Sequence, residues 1–143
     1  MSVGELPGLV LDNSVSLSWC LGDESDVYAA AVLQALGTSA ARVPCLWPYE
    51  VANGLWMSER RGRITAAEIS RALADLAALP ITVDAAGHNR AFTEVLALSR
   101  REGLTAYDAA YLELAMREGL PLATLDQQLR EAAARLGVPE FQP

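Results

Sequence analysis

The stretch Gly8-Leu9-Val10-Leu11-Asp12 carries the two features on which the fold prediction depends: a short apolar run and an acid at its end. A run of this length indicates a buried strand. A similar stretch, residues 120–124, lies late in the chain, and Asp126 follows it. Ligands of open parallel sheets bind beyond the carboxyl ends of the strands. Both stretches therefore predict parallel strands that carry an acid to one edge of a sheet.

Strand-like and helix-like segments alternate between these two stretches. Residues 42–46 and 81–83 are the other strand-like segments, and Pro44 within the first indicates an edge position or a strand end. Helices are predicted over residues 27–36, about 48–61, 65–79, about 86–101, 105–118 and 127–136. This alternation predicts a three-layer α/β/α fold with a central parallel sheet flanked by helices. Because we find no linker, repeat or low-complexity stretch, we expect one domain over residues 1–143.

The composition favours a folded cytoplasmic protein. Of the 143 residues, 52% are hydrophobic and 20% are charged, so the chain can bury a core. No apolar run approaches the roughly 20 residues of a membrane helix, and residues 1–8, with Glu5 in place of a basic patch, do not resemble a signal peptide. Cys20 and Cys45 lack metal-ligand spacing and are predicted to be reduced thiols in the core.

The charge balance limits the possible functions. With 11 basic and 18 acidic residues the net charge is -7, which argues against a protein that coats nucleic acid. It does not argue against an enzyme that gathers carboxylates around a divalent cation. His88 is the single histidine, which excludes multi-histidine metal sites and paired-histidine nucleases. No nucleophile motif accompanies it for acyl transfer.

Three acids stand where a ligand site is expected, and each has a simpler explanation. Asp12 and Asp126 follow strand-like segments, where an aspartate is also a common helix N-cap. Asp108 is followed at helical spacing by an apolar stripe of Tyr111, Leu112 and Ala115, so its side chain is expected to face inward. Burial of an unpaired carboxylate costs several kcal/mol, and a cation is one way to offset that cost. The alternative is that Asp108 completes a capping box with the threonine three residues earlier.

Two further acids remain candidates on position alone. Glu50 lies in the first turn of its helix, where an acid also complements the helix dipole. Asn53, one turn later, is positioned to contact the same ligand or to orient Glu50. Asp84 also follows a strand-like segment, and spacing does not exclude it. The residues by themselves therefore predict an acidic pocket without fixing its members.

Four stretches together resemble the PIN-domain family, and in particular the VapC-type toxins of bacterial toxin–antitoxin pairs. They are residues 9–24 (LVLDNSVSLSWCLGDE), 48–53 (PYEVAN), 104–115 (LTAYDAAYLELA) and 120–126 (LPLATLD), in the order of the family and over nearly the full length. The resemblance implies a parallel sheet flanked by helices and metal-dependent cleavage of RNA.

The resemblance also assigns roles to individual residues. The metal-site acids of the family fall on four positions, and Asp84 falls outside the site. These four positions are Asp12, Glu50, Asp108 and Asp126. Thr124 matches the family's hydroxyl near the last acid, Ser14 lies close to the first, and Asn13 stands where a small residue or threonine is often found. Ser14, Asn53 and Thr124 are thus candidate supporting residues.

Four carboxylates suit a hard cation, so Mg²⁺ or Mn²⁺ is expected rather than zinc, which prefers nitrogen or sulfur. By resemblance, the chain should form a homodimer and bind a VapB-like antitoxin whose arginine or lysine lies against the acids. Three tryptophans are either anchors for such partners or core residues: Trp19, Trp47 and Trp56. Arg60, Arg61 and Arg63 are either RNA-backbone contacts or a solvated patch.

Two other classes of function remain open. The first is a regulatory or structural α/β domain without catalysis. A phospho-acceptor receiver, which belongs to this class, relies on a lysine near its acids, and the chain contains no lysine. The second is a DNA-directed nuclease with the same metal chemistry, because contacts to the 2′-hydroxyl leave no short motif.

Overall fold

The structure is a computed structural model that describes residues 6–143. Glu5 and the rest of residues 1–5, which belong to the segment compared above with a signal peptide, lie outside the described residues. The strands are β1 (Gly8–Leu11), β2 (Ala40–Val43), β3 (Ile81–Val83) and β4 (Leu122–Ala123). The helices are α1 (Asn13–Cys20), α2 (Val27–Ala35), α3 (Trp47–Arg60), α4 (Ala66–Ala77), α5 (Leu96–Glu102), α6 (Ala106–Glu118) and α7 (Gln127–Arg135).

The strands form one parallel sheet in the order β3-β2-β1-β4, which confirms the predicted sheet. Leu9 pairs with Ala41 on one side of β1, and Leu11 pairs with Ala123 on the other. Helix α1 packs against α2, α3 and α4, while α6 packs against α5, α7 and β1. The two groups flank the sheet in a three-layer α/β/α arrangement. Because β1 is covered on both faces, its apolar run is completely buried.

The second strand lies about two residues earlier in the chain than predicted. It covered residues 42–46, whereas β2 is Ala40–Val43 and lies between β1 and β3 instead of at an edge. Pro44 comes directly after the strand, because a proline has no N–H to give to the ladder. Cys45, in the following connection, is exposed, so the prediction that both cysteines lie in the core was wrong for this residue. Cys20 is half-buried, and both thiols are free.

The helix predictions were accurate where end signals exist. Thr65 and Glu68 form both hydrogen bonds of the capping box that begins α4. Gly103 and Gly119 end α5 and α6 with φ of 68° and 66°, a left-handed conformation that glycine adopts at little cost. Helix α1 was not predicted. Its three serines give it weak intrinsic helix propensity, and packing stabilises it instead.

The predicted helix over residues 86–101 is less regular than expected. It consists of a 3₁₀ turn (Gly87–Arg90), a π-helical turn (Ala91–Val95) and α5. Turns of these two types leave no distinct pattern of apolar residues. None of the helices within residues 6–143 combines the length and the apolar character needed to span a membrane.

The tryptophans divide between core and surface. Trp47 is buried and donates to the Ser16 hydroxyl, at 3.0 Å from Nε1 to Oγ. Trp19 is half-buried, and Trp56 is exposed beneath the Arg60 guanidinium, 4.9 Å from the ring centre. Trp47 is therefore a core residue, whereas Trp56 is free to contact a partner.

Candidate metal centre and active site

The sheet brings two of the predicted acids to one edge. Asp12 directly follows β1, and its backbone N–H donates to the carbonyl of Ala123 in β4 at 3.0 Å. Asp126 comes shortly after β4, at the same carboxyl edge. Glu50 and Asp108 lie in the first turns of α3 and α6. The four acids, called here the acidic pocket, thus come from the beginnings of helices and the ends of adjacent strands.

Asp12 is the most deeply buried of the four, with 2% of its surface exposed. Its side chain does not cap α1. Instead Oδ2 accepts hydrogen bonds from Ser14 Oγ at 2.6 Å and from Thr124 Oγ1 at 2.8 Å. The same hydroxyls accept from the backbone N–H groups of Leu125 and Asp126, each at 3.0 Å. Ser14 and Thr124 therefore fix the carboxylate of Asp12 relative to the chain that leads to Asp126.

Glu50 is held by residues from two other elements. The Tyr111 hydroxyl donates to Glu50 Oε1 at 2.7 Å, and the Asn13 amide donates to the same oxygen at 3.1 Å. The Asn13 amide also donates to Asp12 Oδ1 at 3.2 Å, so it links the two carboxylates. Asn53 was predicted to contact the same ligand or to orient Glu50; its amide donates to the sulfur of Met57, at 3.6 Å.

Helix capping, the simpler explanation given above for Asp12, Asp108 and Asp126, accounts in full for one of these three acids. The Asp126 carboxylate caps α7 by accepting from the Leu129 N–H at 2.9 Å. The Asp108 N–H donates to the Thr105 hydroxyl at 3.1 Å, but the Asp108 side chain makes no return bond of the kind that completes a capping box. Capping therefore leaves the half-buried carboxylate of Asp108 unexplained.

Electrostatic repulsion connects the four acids. Burial raises the pKa of Asp12, against the opposing effect of the two hydroxyls. Burial also raises the pKa of Glu50, and the charges of Asp12 and Asp108 raise it further. The pKa of Asp108 rises from 3.8 to about 6, through burial and then the charges of Asp12 and Asp126. The charge of Asp12 thus raises the cost of ionising both Glu50 and Asp108, and that of Asp126 adds to the cost for Asp108.

No arginine within residues 6–143 forms an ion pair with any acid of the pocket. The donor atoms at this edge are carboxylate, hydroxyl and amide groups, and the oxygens among them suit Mg²⁺ or Mn²⁺. Across the described part of the chain, no three His, Cys, Asp or Glu side chains are already arranged close enough together to hold a metal ion. The chemistry of the donors and their mutual repulsion fit a divalent cation.

Asp84 has a different environment. It follows β3, two strands away from β1, which is about 10 Å at ordinary strand spacing. Arg117 Nη2 donates to Asp84 Oδ2 at 2.6 Å, and Arg117 Nε donates to Glu113 Oε1 at 2.8 Å. The guanidinium of Arg117 lowers the pKa of Asp84 below its usual range. We call Asp84, Glu113 and Arg117 the arginine cluster.

Sequence reasoning missed Asn13 and Tyr111 as contacts of the pocket. The spacing from Asp108 placed Tyr111 on an apolar stripe, and it is indeed completely buried. The available signal was its hydroxyl, because a buried tyrosine normally needs a hydrogen-bond partner. Asn13 left a weaker signal, since an amide next to a strand-end acid has many possible roles.

Comparison with known proteins relates the whole arrangement to one family. The PIN domain matches residues 9–135. A ribonuclease VapC3 of Pyrobaculum aerophilum is 38% identical over 91 residues, which cover 64% of this chain and 70% of that protein. A ribonuclease VapC3 of Mycobacterium tuberculosis is 35% identical over 103 residues, which cover 72% of each chain.

A solved structure shows the same architecture. The crystal structure of PAE2754 from Pyrobaculum aerophilum superposes with a TM-score of 0.65 at 27% identity, over 89% of this chain and 79% of that one.

Proposed function

This chain belongs to the PIN-domain family, and on that premise we propose that its acidic pocket binds Mg²⁺ or Mn²⁺ and cleaves RNA as a VapC-type toxin ribonuclease. The observation that carries this proposal is the charge coupling of these acids at one edge of the sheet: the charges of Asp12, Asp108 and Asp126 raise the pKa of neighbouring acids, while no arginine of residues 6–143 pairs with the four. The two VapC3 relatives described above are named ribonucleases, which supports RNA as the substrate.

Asp12, Glu50, Asp108 and Asp126 are the proposed cation ligands. When bound, a divalent cation supplies a more acidic water as nucleophile and stabilises negative charge at the phosphodiester. Ser14 and Thr124 hold Asp12 in place, so that its carboxylate needs little rearrangement. Asp126 caps α7 through Oδ1, so Oδ2 is the oxygen proposed to bind the cation.

The basic residues at the end of α3 and just after it are poor candidates for the contact to the scissile phosphate. They are Arg60, Arg61 and Arg63. Glu50 and Arg60 lie at opposite ends of α3, ten residues apart, which is about 15 Å along a helix. Arg63 is paired with Asp23 and Glu24, at 2.9 and 2.7 Å. We propose that any contact of Arg60 or Arg61 with RNA lies far from the cleaved bond. Arg63 stabilises a surface loop.

The test of this function is a cleavage assay with matched substrates. Single-stranded RNA and DNA of one sequence are incubated with the protein and Mg²⁺, Mn²⁺ or EDTA. Cleavage of RNA that requires the cation and spares DNA is the expected result. Cleavage of the DNA as well as the RNA would indicate the DNA-directed alternative. No cleavage of mixed cellular RNA under any condition would favour the non-catalytic α/β domain.

We further propose a single cytoplasmic domain over residues 1–143 that forms a homodimer and is held inactive by a VapB-like antitoxin. An acidic pocket suits a basic plug, since an arginine pairs with carboxylates through two parallel hydrogen bonds. Trp56, with 52% of its surface exposed, is a candidate contact for the antitoxin or the second copy. Co-expression with the small neighbouring gene should yield a co-purified complex and restore growth. Failure of both would contradict the toxin assignment and leave the nuclease assignment standing.

A further inference from the structure

The two oxygens of Glu50 have different surroundings. Oε1 accepts hydrogen bonds from the Tyr111 hydroxyl at 2.7 Å and from the Asn13 amide at 3.1 Å. A carboxylate oxygen has two lone-pair sites, so two donors fill Oε1. Within residues 6–143 no hydrogen bond reaches Oε2. The carboxylate is thus fixed through one oxygen and keeps the other for a ligand.

Asp12 shows a similar asymmetry. Its Oδ2 accepts from both Ser14 and Thr124, whereas the one side-chain donor to Oδ1 within residues 6–143 is the Asn13 amide, at the longer distance of 3.2 Å. Each carboxylate therefore has one oxygen filled by protein donors. Because the Asn13 amide contacts both side chains, it also fixes the position of Glu50 relative to Asp12.

From this geometry we propose that Asn13 and Tyr111 are positioning residues, which hold Glu50 Oε1 so that Oε2 is the oxygen offered to the cation. This inference rests on the proposed function, because it concerns the same cation. The two side chains come from α1 and α6, whereas Glu50 comes from α3, so the contacts set the position of the first turn of α3 relative to α1 and α6. Neither side chain supplies a negatively charged ligand, which sets them apart from the four acids.

A purely structural role makes a different prediction for cation binding. The Tyr111 ring is completely buried, so loss of its hydroxyl will lower stability in either case. If the hydroxyl only satisfies packing, the folded variant will bind the cation as the wild type does. If it orients Glu50, the folded variant will bind the cation more weakly. Partners of metal ligands typically contribute 10–100-fold to affinity.

The test is calorimetric titration of Mn²⁺ into cation-free protein, below the unfolding temperature of every variant. Tyr111→Phe and Asn13→Ala should each weaken Mn²⁺ binding by roughly 10–100-fold. Tyr28→Phe is the matched control for the tyrosine, because the Tyr28 hydroxyl donates to the Phe141 carbonyl at 2.8 Å, away from the pocket. Asn53→Ala is the control for the asparagine, since its amide donates to the sulfur of Met57 and to no acid of the pocket among the described residues. Both controls should keep the wild-type affinity.

A double-mutant cycle then shows whether Tyr111 acts through Glu50. In a Glu50→Ala background, Tyr111→Phe should cause no further loss of Mn²⁺ affinity. A further loss of the same size would overturn the proposed route. Should Tyr111→Phe not fold, Asn13→Ala and its cycle with Glu50→Ala carry the same test.

The outcomes separate this inference from the proposed function. If Asp12→Asn loses Mn²⁺ binding while folded Tyr111→Phe and Asn13→Ala keep it, the positioning role is wrong and the cation site stands. If the wild type itself binds no Mn²⁺, the cation site is wrong and the positioning role with it.

Discussion

The acidic pocket and the arginine cluster both place buried or half-buried acids at the carboxyl edge of the same sheet, but they differ in what compensates the charge. In the arginine cluster, Arg117 contacts both Asp84 and Glu113, while Arg90 approaches Glu113 at 3.3 Å and Arg42 approaches Asp84 at 3.7 Å. In the acidic pocket, Asp12, Glu50 and Asp126 receive hydrogen bonds from neutral hydroxyl, amide and backbone groups. One group carries its own cations, whereas the other contains none within the described residues.

The pKa values follow this difference. Arg117 lowers the pKa of Asp84, whereas burial and neighbouring acids raise that of Asp108 to about 6. Burial of an acid at a strand end is therefore not enough to identify a metal site, since Asp84 is as buried as Asp12. The informative property is whether the fold supplies a positive charge. Where it does not, a bound cation is the natural compensation.

The largest expected effect is on catalysis. Asp12→Asn or Asp108→Asn should abolish RNA cleavage with the fold intact, because asparagine keeps the shape of the side chain but loses the charge that the cation requires. The loss should exceed the roughly 10–100-fold that outer partners of a metal contribute. Cleavage of a labelled RNA measures it, and circular dichroism checks the fold.

Two matched variants make this comparison specific. Asp84→Asn, the same change in the arginine cluster, should leave cleavage unchanged while the protein is folded. Asp126→Asn should lose cleavage, whereas Asp26→Asn should not, although both aspartates cap a helix and asparagine caps equally well. Near wild-type cleavage by Asp12→Asn or Asp108→Asn would mean that the site is wrongly assigned.

The next effect concerns stability, and here the substitution with the large effect lies in the arginine cluster. Arg117→Met should destabilise the protein by about 3–5 kcal/mol, because it leaves Asp84 and Glu113 buried without their principal cation. Urea unfolding measures the change. Arg60→Met, at an exposed arginine stacked on Trp56, is the control and should cost less than about 1 kcal/mol. Equal effects of the two substitutions would contradict the role given to the arginine cluster.

A third effect is stabilisation by the cation. Mg²⁺ or Mn²⁺ at 100 times its Kd should stabilise the folded protein by about 2.7 kcal/mol and raise Tm by roughly 10 °C. The quadruple variant Asp12→Asn, Glu50→Gln, Asp108→Asn and Asp126→Asn should show no such rise, whereas Asp84→Asn should keep it. A wild-type Tm that does not respond to either cation would count against the pocket.

The smallest effect is a difference of sign in the pH dependence of stability, measured in EDTA. In the folded protein the pKa of Asp108 is raised from 3.8 to about 6. Its contribution to the free energy of unfolding is therefore fully present below about pH 4 and is lost as the pH rises through about 6. Asp108→Asn should therefore stabilise the protein at pH 7, by about 1 kcal/mol after allowance for solvent screening, and should lose this advantage at pH 4.

Asp84 should behave in the opposite way. Because the pKa of Asp84 is lowered in the folded protein, its contribution to the free energy of unfolding is present above pH 3.8. This contribution is lost as the pH falls through the lowered pKa. Asp84→Asn should therefore destabilise the protein at pH 7, and by less at low pH. Urea unfolding of both variants from pH 3 to pH 8 measures the two curves. Curves of the same sign would contradict the contrast between the two groups.

The sequence predicted those parts of the fold that depend on local chemistry. The apolar run of β1, the capping box at Thr65 and the glycine at position 103 each act through neighbours in the chain, so the pattern reveals them. Helix α1 and the π-helical turn were missed, because packing and irregular hydrogen bonding determine them.

The functional site was likewise predictable only in the parts that depend on local sequence. Strand ends and helix first turns predicted acids at the carboxyl edge of the sheet, and resemblance to a family narrowed the proposed ligands to four. The arginine that neutralises Asp84 lies 33 residues away in the chain, and the tyrosine that holds Glu50 lies 61 residues away. No local pattern contains such pairs, which explains why spacing alone did not separate Asp84 from the pocket.

The central claim is that the divalent cation lies in the acidic pocket and not in the arginine cluster. Anomalous diffraction at the manganese absorption edge, from crystals of the wild type grown with Mn²⁺, measures its position directly. We predict an anomalous peak among Asp12, Glu50, Asp108 and Asp126, and its absence in crystals of Asp12→Asn. A peak beside Asp84 and Glu113, or an empty acidic pocket at saturating Mn²⁺, would contradict the account.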